Sequence, residues 1–144
     1  MLIRNFFAAV VIAFATTSVI AQSDPIQTRR GLMKENDANA RVIVQMMRGQ
    51  IPFDAAKIEV AMAQWADTAK KLPDLFPDNS KAGGDTRATP KIWESKADFK
   101  DKADEFAASV AEYRGKIKDA EGLKTALNSI GQSCDNCHQL YRLR

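Results

Sequence analysis

The segment Cys134-Asp135-Asn136-Cys137-His138 constrains this chain more than any other stretch. Two thiols three residues apart, with a histidine directly after the second, form the attachment pattern of a c-type haem. The cysteines add across the two porphyrin vinyl groups as thioethers, and the two residues between them set the separation those vinyls require. His138 is then held under the iron as the proximal axial ligand. On a helix, Cys134 and Cys137 share a face and His138 lies one turn on from Cys134. A CxxC pair can also be a redox disulfide or half of a zinc site. The first needs a βαβ setting and the second more ligands. This chain has 2 Cys and 1 His, all inside the pentapeptide.

The amino terminus supplies an address. Arg4 precedes an uncharged, mostly apolar run from Phe6 to Ile20, and Val19-Ile20-Ala21 fits a cleavage site. This is a secretory signal peptide over 1–21, cut after Ala21. The alternative, an uncleaved anchor, is disfavoured because the run is shorter than the roughly 20 residues needed to span a bilayer. No later stretch is a membrane-span candidate, so no membrane association is expected after cleavage. Attachment of c-type haem takes place beyond the bacterial inner membrane, and the expected compartment is the periplasm. With both cysteines consumed by haem, no disulfide is expected.

Residues 22–144 are long enough for one domain with a single core. The formal net charge of the chain is +3, and loss of Arg4 with the signal lowers it by one. Charges are scattered as on solvated helix faces, with no basic tail or basic-aromatic interleaving, so nucleic acid is not an expected partner.

From Asp24 onward the pattern is helical. Asp24 is a plausible N-cap with Pro25 in the first turn, and Met33, Ala40, Val44 and Met47 define one face of a first helix that Gly49 ends. Pro52 opens a second helix, whose Ile58, Met62, Trp65, Ala69 and Leu72 keep the 4-3-4-3 spacing of a bundle seam; Pro73 stops it. Residues 73–88 read as a loop, long for a compact domain and suited to crossing one end of a bundle. After Thr89-Pro90, the series Ile92, Lys96, Phe99, Ala103, Phe106, Val110, Tyr113 and Ile117 predicts a third helix, the longest, with only Lys96 breaking its apolar stripe. Asp119 caps the fourth, where Leu123, Leu127, Ile130, Cys134, Cys137 and Tyr141 continue the spacing and place the haem cysteines on the buried seam. The expected fold is all-α: an antiparallel four-helix bundle with covalently bound haem, an architecture of which cytochrome c′ is a known example.

The chain resembles the class II cytochromes c, four-helix bundles with the haem motif in the last helix. The likeness rests on Arg48-Gly49-Gln50, Pro52-Phe53-Asp54, Leu72-Pro73, Leu75-Phe76-Pro77, Pro90-Lys91-Ile92-Trp93 and Cys134 to His138 followed by Tyr141-Arg142. High-spin cytochromes c′ of this family place a non-coordinating apolar residue over the distal haem face, whereas the low-spin cytochrome c-556 branch places a methionine there. In Arg29-Arg30-Gly31-Leu32-Met33-Lys34-Glu35-Asn36 the matching position is Met33, which looks like the low-spin branch.

Elimination narrows the same choice without settling it. His138 is the only histidine, so the sixth ligand is a methionine, lysine, tyrosine, an exogenous molecule or nothing. Met1 leaves with the signal, and spacing alone does not select among Met33, Met46, Met47 and Met62. Met46 and Met47 stand about 20 Å along the helix from Met33. The resemblance further implies that Arg29 lies near a haem propionate, that Arg142 sits beside the proximal imidazole, and that Trp93 packs near the haem. Gly131 allows close approach of either the porphyrin or a neighbouring helix.

These residues imply a one-electron carrier with one haem c, His138 and Met33 as axial ligands, and redox proteins as partners. Family members are often homodimers through the first two helices. The alternative is a gas-binding protein of the cytochrome c′ kind, for NO or CO, in which Met33 is off the iron. No acid–base pair, nucleophile or second metal cluster points to an enzyme, and a peroxidase would need a distal histidine.

Overall fold

Asp24 starts the first helix as its residue type predicts: its carboxylate accepts from the Ile26 N–H at 2.8 Å, and Pro25 occupies the first turn. The structure, a computed structural model, describes residues 24–144; the expected signal peptide, 1–21, lies outside that range. Four long helices, α1 (Pro25–Met47), α2 (Ala55–Lys71), α4 (Lys96–Tyr113) and α5 (Ala120–Tyr141), form the bundle, with a short α3 (Lys91–Glu94) before α4. No strand occurs among the described residues, and none of their helices is long and apolar enough to cross a membrane. α1 packs on α2 and α5, and α4 packs on the same two helices. Short connections join α1 to α2 and α4 to α5. The long one, from Leu72 to Ser95, runs across the end where α1 begins and α5 finishes.

The expected seam of α2 is buried at all five positions, as are Leu123, Ile130 and Tyr141 on α5. Asp119 caps α5 by accepting from the Gly122 N–H at 2.9 Å, and Gly49, at φ +68°, follows the last turn of α1.

Three local expectations need correction. α2 begins at Ala55 rather than Pro52, because Asp54 is extended and its carboxylate accepts from the Lys57 N–H. On α1 the buried positions near the carboxyl end are Ile43 and Met46, with Val44 and Met47 only half-buried. The third helix is not continuous, and its main part is shorter than α1 or α5. It breaks at Ser95 (φ −135°, ψ 55°). Lys96 is the reason: on an unbroken helix it would stand on the seam between Ile92 and Phe99. The break buries both apolar neighbours while the Lys96 ammonium turns out to 3.6 Å from Asp78.

The core has two parts. A larger cluster fills the middle of the bundle around Met62, Trp65, Val110 and Leu123, and a smaller one, of Leu72, Ile92, Phe99 and Tyr141, lies at the end crossed by the long connection. Leu123 is 0% exposed in the larger cluster. Leu123→Ala is expected to lower the unfolding free energy by about 2–5 kcal/mol, measured by chemical denaturation.

Candidate haem site

α5 carries its cysteines along the boundary between the two clusters. Cys134 packs against the larger one and Cys137 against the smaller, both half-buried and both free thiols. Burial pushes each thiol up to about 11, Asp135 adding to the effect at Cys134 and Cys134 to that at Cys137. A redox CxxC pair needs the opposite, a depressed thiol pKa. Among the described residues, no group of three or more His, Cys, Asp or Glu could hold a metal ion, which argues against a zinc cluster there. His138 is half-buried and held below its ordinary range, first by burial and then by the positive charge of Arg142. It is therefore neutral at pH 7, the form an iron ligand requires.

These observations fit a covalently held haem. Helix packing gives no reason for glycine at 131, since a Cβ there would meet no protein atom within 4 Å.

Arg142 is the C-cap of α5, and its N–H donates to the His138 carbonyl at 3.1 Å. Around it the tail pairs with the segment before α3. Ala88 and Arg142 form an antiparallel bridge, Thr89 N–H donates to Tyr141 O at 3.0 Å, and Leu143 N–H donates to Arg87 O at 2.7 Å. The Tyr141 hydroxyl donates to the Asp98 carboxylate. Burial and that carboxylate push the phenol up to about 12. The neutral phenol is thus the form the fold favours. Its contribution is complete below the unfolded value near pH 10 and is lost as pH rises to about 12. Tyr141→Phe should cost about 1–2 kcal/mol at pH 8, and the difference from wild type should shrink between pH 10 and 12 in denaturation curves.

Met33 is half-buried and packs on the smaller cluster, the same one that Cys137 borders, together with Phe76 and Trp93. Met46, Met47 and Met62 belong to the larger cluster. Trp93 stands edge-on to Phe76, with centroids 5.7 Å apart, and its Nε1–H donates to Pro77 O. Phe76, Phe99 and Tyr141 continue the edge-to-face contacts as far as α5.

Arg29 is 4% exposed, and every oxygen it donates to is neutral. Nη1–H groups donate to Leu75 O and Ser80 Oγ at 2.9 Å. Nη2–H groups donate to Ser80 O at 2.9 Å and Thr86 Oγ1 at 2.7 Å. Its guanidinium lies 4.5 Å from the Phe76 ring centroid and 5.9 Å from that of Trp93. The resemblance put Arg29 near a haem propionate, and sequence reasoning missed the protein oxygens that it donates to. It also missed Phe76, Asn36 and the Tyr141–Asp98 pair. Asn36 left a signal: it continues the inward-facing α1 stripe of Ile26, Arg29 and Met33 as a half-buried polar residue.

The family model described as Cytochrome C' matches residues 24–142. Cytochrome c-556 of Rhodopseudomonas palustris (strain ATCC BAA-98 / CGA009) is 36% identical, with 98% of this chain and 97% of the relative aligned. Cytochrome c′ of the same strain is 37% identical, with 100% and 99% aligned. The solved structure of cytochrome c′ from Rhodopseudomonas palustris superposes with a TM-score of 0.81 at 40% identity, covering 85% of this chain and 98% of that one.

Proposed function

The chain belongs to the cytochrome c′ family, whose members bind one covalent haem c, and from that premise we propose that it is a periplasmic one-electron carrier of the low-spin kind. A c-556 and a c′ relative are equally similar to it, so the branch is argued from its own residues. The observation behind the proposal is the position of Met33: it packs on the cluster bordered by Cys137, the residue next to His138, whereas Met46, Met47 and Met62 pack in the cluster bordered by Cys134.

The haem supplies reversible Fe(III)/Fe(II) chemistry when bound. Cys134 and Cys137 anchor it to α5, and His138 offers a neutral imidazole whose helix end is fixed by the pairing of residues 141–143 with 87–89. Met33 on α1 would offer a thioether as a second iron ligand beside His138, leaving little room for a substrate or gas to bind. Thioether ligation favours Fe(II) and raises the potential relative to bis-nitrogen ligation. Arg29 and Trp93 hold the wall beside Met33. Arg142 places a positive charge beside the proximal imidazole.

Partners are redox proteins. A second copy seated on α1 and α2 would cover Val60, which is 63% exposed on α2. Export and signal removal after Ala21 deliver the protein to the periplasm, and no catalysis is assigned to it.

Optical spectra of the purified holoprotein in both oxidation states test the reading. A low-spin reduced spectrum with a weak near-infrared methionine–Fe(III) charge-transfer band is expected. A broad high-spin spectrum would favour the gas-binding alternative for NO or CO instead.

A further inference from the structure

Met33 lies between two polar anchors on the same face of α1. Arg29 is one turn before it and Asn36 one turn after, at the i−4 and i+3 positions that share a helix side. Each anchor grips a different element. Arg29 makes four hydrogen bonds to the connection after α2 and stacks on Phe76. Asn36 is gripped by α2: its carbonyl accepts from Trp65 Nε1–H at 3.3 Å and its Oδ1 accepts from Thr68 Oγ1–H at 2.9 Å. Thr68 is 0% exposed.

We infer that Arg29 and Asn36 are positioning residues that fix the height and rotation of α1, and so hold the Met33 sulfur where an axial ligand must stand. The inference rests on the reading of Met33 as that ligand. A one-residue slip of α1 moves Met33 by about 1.5 Å along the axis and 100° around it. Metal–ligand distances tolerate only about 0.2 Å. Apolar packing opposes a full slip, which would turn the buried face of α1 off the core. Hydrogen bonds add a finer hold, since they weaken with small changes of distance and angle that apolar contacts tolerate, and those of Arg29 and Asn36 grip two different neighbours. The anchors brace α1 on either side of the ligand, as a site held to tight geometry needs. Arg29 therefore acts on the distal ligand through the connection it binds.

Three variants that leave the ligands and attachment cysteines intact test this: Thr68→Val, which removes the hydroxyl that Asn36 accepts from; Ser80→Ala with Thr86→Val, which removes two acceptors of Arg29; and Leu123→Ala in the larger cluster as a control. Thermal midpoint, the methionine charge-transfer band and the rate of CO uptake by the reduced holoprotein are measured for each. The two anchor variants should weaken the band and take up CO about tenfold faster, because the fraction with Met33 off the iron rises. The control should lose more thermal stability with CO uptake unchanged. CO uptake that tracks the thermal midpoint across all three, or wild-type uptake in both anchor variants of a low-spin protein, would overturn the positioning role alone. A high-spin wild-type spectrum overturns the ligand reading and this inference with it.

Discussion

Met33→Ala is expected to convert the holoprotein from low-spin to high-spin and to open it to CO. The native protein competes internally for the sixth position, so an added ligand binds only the small fraction in which Met33 is off. If that fraction is about 1%, removing the thioether makes the whole population competent and raises apparent CO affinity about 100-fold. The charge-transfer band should vanish in the same variant. Met62→Leu is the matched control. Met62 is 0% exposed in the larger cluster, so a volume-conserving change there should cost less than about 1.5 kcal/mol and leave the spectrum alone. If Met33→Ala leaves the spectrum unchanged and Met62→Leu alters it, the ligand assignment moves to Met62.

Replacing both attachment cysteines should have an effect of similar size. In the native protein the haem should stay with the chain through acid-acetone extraction or full denaturation, because two covalent bonds hold it. In Cys134→Ser/Cys137→Ser it should be extracted completely. Either single variant should keep one link and shift the pyridine haemochrome band part of the way. Serine at these positions also puts hydroxyls against the two core clusters, so the double variant should unfold more readily. Haem that resisted extraction from the double variant would show that attachment does not run through this pair.

Periodicity reached those parts of the molecule that repeat, and residue type reached those that cap. The seams of α2 and α5 follow from apolar spacing, and Asp24 and Asp119 cap as their side chains dictate. The break at Ser95 was signalled only by Lys96, whose charge cannot stay on a buried stripe; spacing counted it as a tolerated exception. The second helix opens after Asp54 rather than at Pro52 because the Asp54 carboxylate accepts the Lys57 N–H as an N-cap. At the site, the attachment pentapeptide was plain from composition. Which methionine shares a cluster with Cys137 was not, since all four sit at helical spacings and only the packing of α1 separates them. Arg29's partners were hidden for another reason. Two of its acceptors are main-chain carbonyls, at Leu75 and Ser80, and any residue type presents one.

The pairing of residues 141–143 with 87–89 has a practical consequence for anyone who purifies this protein. It ties residues 141–143 down at the same end of the bundle as the one histidine, so a polyhistidine extension after Arg144 would put foreign imidazoles at the end where His138 stands. Such a product could acquire bis-histidine ligation that the chain's single histidine cannot provide, and its spectra would report on the affinity handle. The turns at 48–54 and 114–119, at the opposite end of the bundle, are the places to graft one.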